Sequence, residues 1–135
     1  MATINSFEEM DIWKKAQQLG AMIYTLCDEN NKIAKDFSFK DQVKRAVLSI
    51  SNNIAEGFEY NNNNDFIRFL RIAKGSCGEV INCLFFSFEV KYTASEDVND
   101  LIQFSTVLSK QIGNLMSYLK NLKAGNSKQK TSKTR

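Results

Sequence analysis

Glutamate and cysteine are the residue types in this chain that could carry acid–base, metal or thiol chemistry. Glu56 and Glu79 lie in amphipathic segments, and paired carboxylates on facing helices can exchange protons or bind two metal ions. The chain has no histidine, whereas the carboxylate metal sites of helical bundles combine glutamate with a Glu-x-x-His motif. We therefore expect Glu56 and Glu79 to form structural ion pairs and not a catalytic or metal site.

The cysteines and glycines give no further sign of catalysis. Cys27, Cys77 and Cys83 show no CxxC spacing, and an odd number of such cysteines is typical of a reducing compartment. We expect buried thiols and a cytoplasmic location. Gly75 and Gly78 lie inside a helical pattern without the Lys-Ser or Lys-Thr of a phosphate-binding loop. We expect a protein that is not an enzyme, with no cofactor, no metal and no small-molecule substrate.

The composition is that of one globular domain with a basic extension. Of 135 residues, 43% are hydrophobic and 24% are charged, and the formal net charge is +3. The last 13 residues carry five cations and no acid, which leaves residues 1–122 with a net charge of −2. We expect a globular domain over residues 1–122 and a disordered basic tail over residues 123–135. The most apolar stretch is short and contains polar residues, so we expect no membrane partner.

Four segments repeat apolar residues every three or four positions, which predicts amphipathic helices. Their approximate bounds are Glu8–Glu29, Phe39–Glu59, Asp65–Tyr92 and Glu96–Leu122. The chain has no proline to break them, and Ser38, Asn64 and Ser95 stand where N-cap side chains are expected. Short connections favour antiparallel neighbours. We therefore expect an all-α protein, an antiparallel up-down-up-down four-helix bundle; three helices plus a docked partner helix are the alternative.

Polar residues run beside the apolar stripes of the second and third helices. On the second helix they are Gln42, Arg45, Ser49, Asn53 and Glu56, and on the third they are Asp65, Arg68, Ser76 and Glu79. With a turn centred near residue 61, antiparallel packing brings Arg45 level with about residue 77 and Glu56 level with about residue 66. We predict the ion pairs Arg45 with Glu79 and Glu56 with Arg68. Breaking such a pair would cost about 3 to 5 kcal/mol if it were truly buried.

The second half of the third helix has more apolar surface than one core can cover. Val80, Leu84 and Phe88 are expected to face the core, which leaves other apolar side chains pointing sideways and two glycines on the opposite face. Large exposed apolar patches are usually covered by partners, so we expect a subunit interface here. Its expected residues are Gly75, Gly78, Ile81, Phe85 and Phe86. In the alternative, loops cover the rings and the glycines are merely tolerated.

The second and third helices resemble a known family. The run QVKRAVLSISNNIAEGFEY (Gln42–Tyr60), followed by DFIRFLRIAKGSCGE (Asp65–Glu79), resembles the four-helix-bundle family encoded within intervening sequences of bacterial large-subunit ribosomal RNA genes. The combination of NIAEG with FIRFL-x-x-A-x-GS carries the resemblance, which covers about residues 7–122. The positions that match the family's polar and small residues are Gln42, Arg45, Ser49, Asn53, Glu56, Gly57, Gly75, Ser76 and Glu79.

The resemblance implies a bundle that assembles as a ring-shaped homopentamer. It also implies relatives among the accessory proteins of diversity-generating retroelements, which bind a reverse transcriptase and nucleic acid. This chain departs from many relatives after the glycine of NIAEG, where Tyr60 and four asparagines replace basic residues. The departure weakens any nucleic-acid role for that turn.

Two functions follow from these observations. The first is a non-enzymatic oligomeric scaffold associated with RNA or other nucleic acid, which would bind phosphates through basic side chains. The candidate contacts are Lys40, Lys44, Arg71, Lys74, Lys128, Lys130, Lys133 and Arg135. The second is a protein-interaction module that serves as an accessory subunit of a reverse transcriptase or other polymerase. In the alternative interpretation, these lysines and arginines only keep the protein surface hydrated and bind no partner.

Overall fold

The computed structural model describes the backbone of residues 4–134 and the side chains of residues 4–122. This part of the chain is helical and contains no strand. The α-helices are α1 (Asp11–Glu29), α2 (Asn31–Lys35), α3 (Phe37–Glu59), α4 (Asn63–Glu89) and α5 (Ser95–Thr134). A short 3₁₀ turn, Phe7–Glu9, precedes α1. The expected all-α class is confirmed, whereas the five-residue helix α2 was not predicted.

The four long helices pack as a closed square. In the described residues, α1 contacts α3 and α5, and α4 contacts the same two helices, so α1 and α4 lie diagonally opposite. The expected helical bundle is confirmed. The fully buried side chains come from all four helices and include Leu19, Ile50, Leu70 and Leu108. The disordered tail that we expect over residues 123–135 lies outside the residues with described side chains and stays a prediction.

The helix N-termini lie two residues earlier than the sequence predicted for α3 and α4. Asp36 caps α3 by accepting a hydrogen bond from the backbone N–H of Phe39, and Asn62 caps α4 by accepting one from that of Asp65. The predicted caps Ser38 and Asn64 lie inside these helices, so both cap predictions were wrong. Asp36 and Asn62 both have non-helical backbone angles, as N-cap residues do, and each side chain accepts from the N–H three residues later.

The α3–α4 seam has the predicted register but different ion pairs. Ser76 Oγ donates to Ser49 Oγ at 2.9 Å, and Gln42 Nε2 donates to a Glu79 carboxylate oxygen at 3.4 Å. These contacts join the two polar strips at the expected heights.

The predicted pairs Arg45–Glu79 and Glu56–Arg68 were wrong. Arg45 instead binds Asp41 at 2.9 Å, and Arg68 binds Asp65 at 3.1 Å. Both partners lie one turn away on the same helix, where the arginine reaches them without crossing the seam.

Hydrogen bonds tie the α4–α5 turn to the region around α2. The Asn30 amide donates to the Tyr92 carbonyl at 2.9 Å, and the Lys32 ammonium donates to the Lys91 carbonyl at 3.0 Å. The Tyr92 hydroxyl donates to the Asp36 carboxylate at 2.8 Å. The Tyr92 ring also packs edge-on against Phe39. Asp36 therefore caps α3 and anchors the turn between α4 and α5 at the same time.

Candidate functional site

The outward side of α4 carries an exposed apolar strip, which we call the α4 face. Its residues are Gly75, Gly78, Ile81, Phe85, Phe86 and Phe88. The Phe85 side chain is 57% exposed and Phe88 is 49% exposed. A Cβ atom added at Gly75 or Gly78 would meet no other atom within 4 Å. The strip is therefore a shallow notch at the two glycines, with protruding rings toward the C-terminal end of the helix.

Phe88 is on this face because the core position belongs to Ser87. The expectation that Phe88 faces the core was wrong. Eight residues separate Val80 from Phe88, and at 3.6 residues per turn this spacing rotates the side chain about 80° away from Val80. Ser87, seven residues after Val80, is buried and donates its hydroxyl to the Leu84 carbonyl at 2.7 Å. The apolar stripe of α4 thus moves outward in its last turns.

The other predicted interface residues are also accessible within this chain, to different degrees. Ile81 is half-buried, and Phe86 is exposed although its ring stacks on Phe39 with centroids 6.3 Å apart. No loop of the described chain covers Phe85. The alternative in which loops enclose these rings does not hold, whereas the subunit interface itself stays a prediction.

A second apolar surface lies between α1 and α3 and was not predicted. It is a groove of about 350 Å³, which we call the α1–α3 groove. The lining residues are Ala16, Gln17, Gly20, Ala21, Tyr24, Val47, Leu48 and Ser51. A Cβ atom at Gly20 would meet nothing within 4 Å, while Tyr24 and Leu48 are large and exposed. Small side chains thus form its floor and large ones its rim.

The predicted nucleic-acid contacts on the bundle do not form one patch. The Lys44 ammonium binds the Asp28 carboxylate at 3.1 Å, and the Lys40 ammonium donates to the Ala34 carbonyl at 3.2 Å. Both lysines are half-buried. The Lys74 ammonium instead donates to Ser109 on α5 at 2.8 Å.

Lys44 and Lys74 therefore lie on opposite seams of the square, α1–α3 and α4–α5. Arg71 is exposed on α4. The remaining candidates, Lys128, Lys130, Lys133 and Arg135, lie outside the residues with described side chains.

The three thiols lie inside the bundle, whereas Glu56 and Glu79 are exposed. Cys27, Cys77 and Cys83 are buried and unpaired. Burial raises the pKa of the Cys77 thiol to about 12 and raises the pKa of the other two thiols. All three are therefore protonated at neutral pH, which makes them poor nucleophiles. Among the described residues, no three acidic or thiol side chains gather where they could hold a metal ion.

The described helices also include none with the length and hydropathy needed to span a bilayer.

With the fold and its surfaces described, comparison with known proteins identifies the family. The model of the family described as 23S rRNA-intervening sequence protein matches residues 8–114. The chain belongs to this family. The match includes α1, α3, α4 and most of the packed part of α5, so it covers the bundle core together with the α4 face and the α1–α3 groove.

A solved structure is similar to this family member over most of its length. It is a crystal structure, at 1.70 Å resolution, of a protein with unknown function from the S23 ribosomal protein family of Bacteroides thetaiotaomicron. The two chains are 25% identical, with a TM-score of 0.70 and coverage of 78% of this chain and 97% of the other. No curated protein matches the chain. The similarity supports the bundle fold and names no activity.

Proposed function

We propose that the protein is a non-catalytic scaffold that self-associates through the α4 face. The observation that carries the proposal is the exposure of Phe85 and Phe88 beside the open notch at Gly75 and Gly78. Apolar patches of this kind usually mark interaction sites, and glycines allow a partner helix to approach closely. The ring-shaped homopentamer that the family resemblance implies agrees with such a surface.

The hydrogen bonds of the buried hydroxyl groups support a scaffold over an enzyme. The hydroxyls of Ser51, Ser87 and Ser105 donate to carbonyl oxygens of their own helices at 3.3, 2.7 and 2.7 Å. The Ser76 hydroxyl donates to Ser49 across the α3–α4 seam. Because the thiols are protonated and these hydroxyls are already engaged, none of these buried side chains is an activated nucleophile.

RNA is the further partner that we propose, with the basic tail as its attachment point. Lys40, Lys44 and Lys74 already have partners within the bundle. This favours the tail over the bundle as the attachment point. The last 13 residues supply five cations without an acid. The unpaired thiols support a reducing compartment, and we place the protein in the cytoplasm.

Sedimentation velocity of the purified protein over a range of concentrations tests the self-association. We expect the unmodified protein to sediment as an oligomer and the variant Phe85→Glu to sediment as a folded monomer, because a carboxylate cannot be buried unpaired in an apolar contact. Tyr118→Glu is the matched control, since Tyr118 is an aromatic residue on α5 with a similar exposure, 49% against 57% for Phe85. It should leave the oligomer intact.

A monomer at every accessible concentration would overturn the self-association. Addition of mixed RNA at low salt to the same samples tests the RNA partner. Sedimentation unchanged by RNA would reject that part of the proposal and leave the scaffold in place.

A further inference from the structure

Contacts along the α3–α4 seam show which residues lie at the same height in the bundle. Ser76 is bonded to Ser49, which places the notch at Gly75 and Gly78 level with Leu48. The stacking of Phe86 on Phe39 places the protruding rings of the α4 face level with the first turn of α3. The apolar strip on α4 therefore runs from the height of Leu48 to the height of Phe37.

The surface around the α1–α3 groove covers the same heights on another side of the bundle. The Lys44 ammonium binds Asp28 and lies 4.5 Å from the centre of the Tyr24 ring, which places Tyr24 close to the height of Leu48. Phe37 is 75% exposed, and it precedes Leu48 by about three helical turns on the same side of α3. Tyr24 and Leu48 thus lie at the height of the notch on α4. The exposed ring of Phe37 lies at the height of the phenylalanine rings of the α4 face.

We infer that the α1–α3 groove of one copy binds the α4 face of a second copy. Tyr24 and Leu48 at the rim fill the notch over Gly75 and Gly78, and Phe37 packs against Phe85. This inference rests on the proposed self-association and adds the surface that receives the α4 face. Because two different patches meet, the contact is heterologous.

The sizes of the two surfaces suit each other. An apolar cavity of about 150 Å³ holds one benzene ring, so the groove, at about 350 Å³, has room for the glycine-containing part of a partner helix. The exposed parts of Phe37, Tyr24 and Leu48 amount to roughly 300 Å² of apolar area, since an aromatic side chain buries about 150–250 Å² in full. That is enough for the core of an interface of standard size, about 800 Å² per partner including its polar rim.

The position of the two surfaces allows both to be used at once. The helices α1 and α4 lie at opposite corners of the square, so a copy bound at its groove still presents its α4 face. Each copy can then bind one neighbour on either side. Rotation about an axis parallel to the helices keeps residues at their heights, and repeated head-to-tail contacts of this kind close into a ring when the rotation permits.

Filling the groove tests the inference. Gly20→Leu places a side chain in the groove, and nothing within 4 Å opposes its Cβ atom. Since leucine is a better helix former than glycine, we expect an unfolding temperature at least as high as that of the unmodified protein. We also expect loss of the oligomer in sedimentation velocity. Asn114→Leu on α5 is the matched control and should still assemble, because Asn114 is exposed and belongs neither to the residues that line the groove nor to the α4 face.

Mixing complementary variants then identifies which surfaces meet. Phe85→Glu retains an intact groove, and Gly20→Leu retains an intact α4 face. Each variant alone should be monomeric, and an equimolar mixture should form a heterodimer that grows no further. Leu48→Glu replaces Gly20→Leu if the latter unfolds at a lower temperature.

Three outcomes are distinguishable. Formation of the heterodimer supports the groove as the receiving surface. Assembly of Gly20→Leu and Leu48→Glu like the unmodified protein would overturn the inference, because the α4 face would then bind something other than the groove, while self-association would survive. An unmodified protein that stays monomeric would overturn both.

Discussion

Gly57 lies where α4 packs closely against the α3 backbone. A Cβ atom at this position would lie 2.7 Å from Phe69 Cβ and 3.1 Å from Phe66 Cδ1. The Cβ atom of Phe69 is fixed to the α4 backbone, so no side-chain rotation can move it away. The absence of a side chain at Gly57 therefore allows two aromatic residues of α4 to pack directly against the α3 backbone.

Gly57→Ala should destabilise the protein. Alanine favours the helix by about 1 kcal/mol over glycine, but overpacking a close contact costs about 1–3 kcal/mol, and here the neighbouring atom cannot yield. We expect a lower midpoint in urea unfolding monitored by circular dichroism. Gly20→Ala, where the added methyl group meets nothing within 4 Å, should raise the midpoint. An unchanged or higher midpoint for Gly57→Ala would show that the helices separate at little cost.

Asp36 and Tyr92 make the stability depend on pH at both extremes. The backbone N–H of Phe39 and then the Tyr92 hydroxyl hold the pKa of Asp36 below its usual value. This contribution is complete above the ordinary pKa of an aspartate and is lost as the pH falls through the lowered one. The hydrogen bond to Asp36 raises the pKa of Tyr92. Its contribution is complete below the ordinary tyrosine pKa and is lost as the pH rises through the raised one.

Tyr92→Phe should lower the unfolding temperature near neutral pH, because the bond between the α4–α5 turn and the α3 cap is lost. It should also flatten the decrease in stability above the ordinary pKa of tyrosine, about 10. Asp36→Asn keeps an N-cap of nearly equal strength but removes the titrating group, so it should flatten the acid side instead. Melting curves across the pH range check both expectations, and identical profiles for all three proteins would contradict them.

At the scale of helices, the sequence predicted the heights and sides of the seam residues but not their partners. Periodicity and a short turn are sufficient to place Ser49 near Ser76 and Gln42 near Glu79, and the structure contains both contacts. Choosing a partner for Arg45 requires its side-chain conformation, which helical periodicity does not contain. Asp41, one turn earlier, competes with Glu79 and wins because it lies on the same helix.

Because Arg45 pairs with Asp41 and not with Glu79, we expect it to contribute less to the free energy of unfolding than a buried ion pair would. Its side chain is 80% exposed, and exposed pairs spaced four residues apart contribute about 0.3–0.5 kcal/mol. Arg45→Gln should therefore shift the free energy of unfolding by less than about 1 kcal/mol. Chemical denaturation with and without added salt measures this, and Asp41→Asn should give a similarly small effect. A loss near the 3–5 kcal/mol of a broken buried pair would restore the cross-seam interpretation.

Surfaces formed by two helices were the hardest features to predict. The residues that α1 contributes to the α1–α3 groove include Ala16, Gly20 and Ala21, whose small size matters only when α3 lies beside them. The α4 face, by contrast, lies on one helix, so its glycines and phenylalanines were recognisable from their spacing. Only its last turn was misplaced, because the stripe continues through Ser87 and not Phe88.

At the scale of the whole molecule, the chain separates apolar packing from positive charge. The core extends along α5 as far as Leu119, and the run of five cations begins at Lys123. Residues 1–122 have a net charge of −2, which opposes nonspecific attraction of nucleic acid to the bundle. Residues 1–122 therefore carry the folding core, and residues 123–135 carry the proposed attachment to RNA. The second part can be deleted without the first.

A protein that ends at Leu122 should fold and assemble like the full chain but lose affinity for RNA. The unfolding temperature should be unchanged, because the core formed by the described side chains ends at Leu119. For the full chain, the logarithm of the RNA association constant should fall with the logarithm of salt concentration with a slope of about −3.5 or smaller in magnitude, since each contact to single-stranded nucleic acid contributes about −0.7. Fluorescence anisotropy with a labelled RNA, repeated over a range of salt concentrations, measures the association constant and its slope for the full and the shortened protein. Equal affinity and an equal slope for the shortened protein would place the RNA contacts on the bundle and reject the tail.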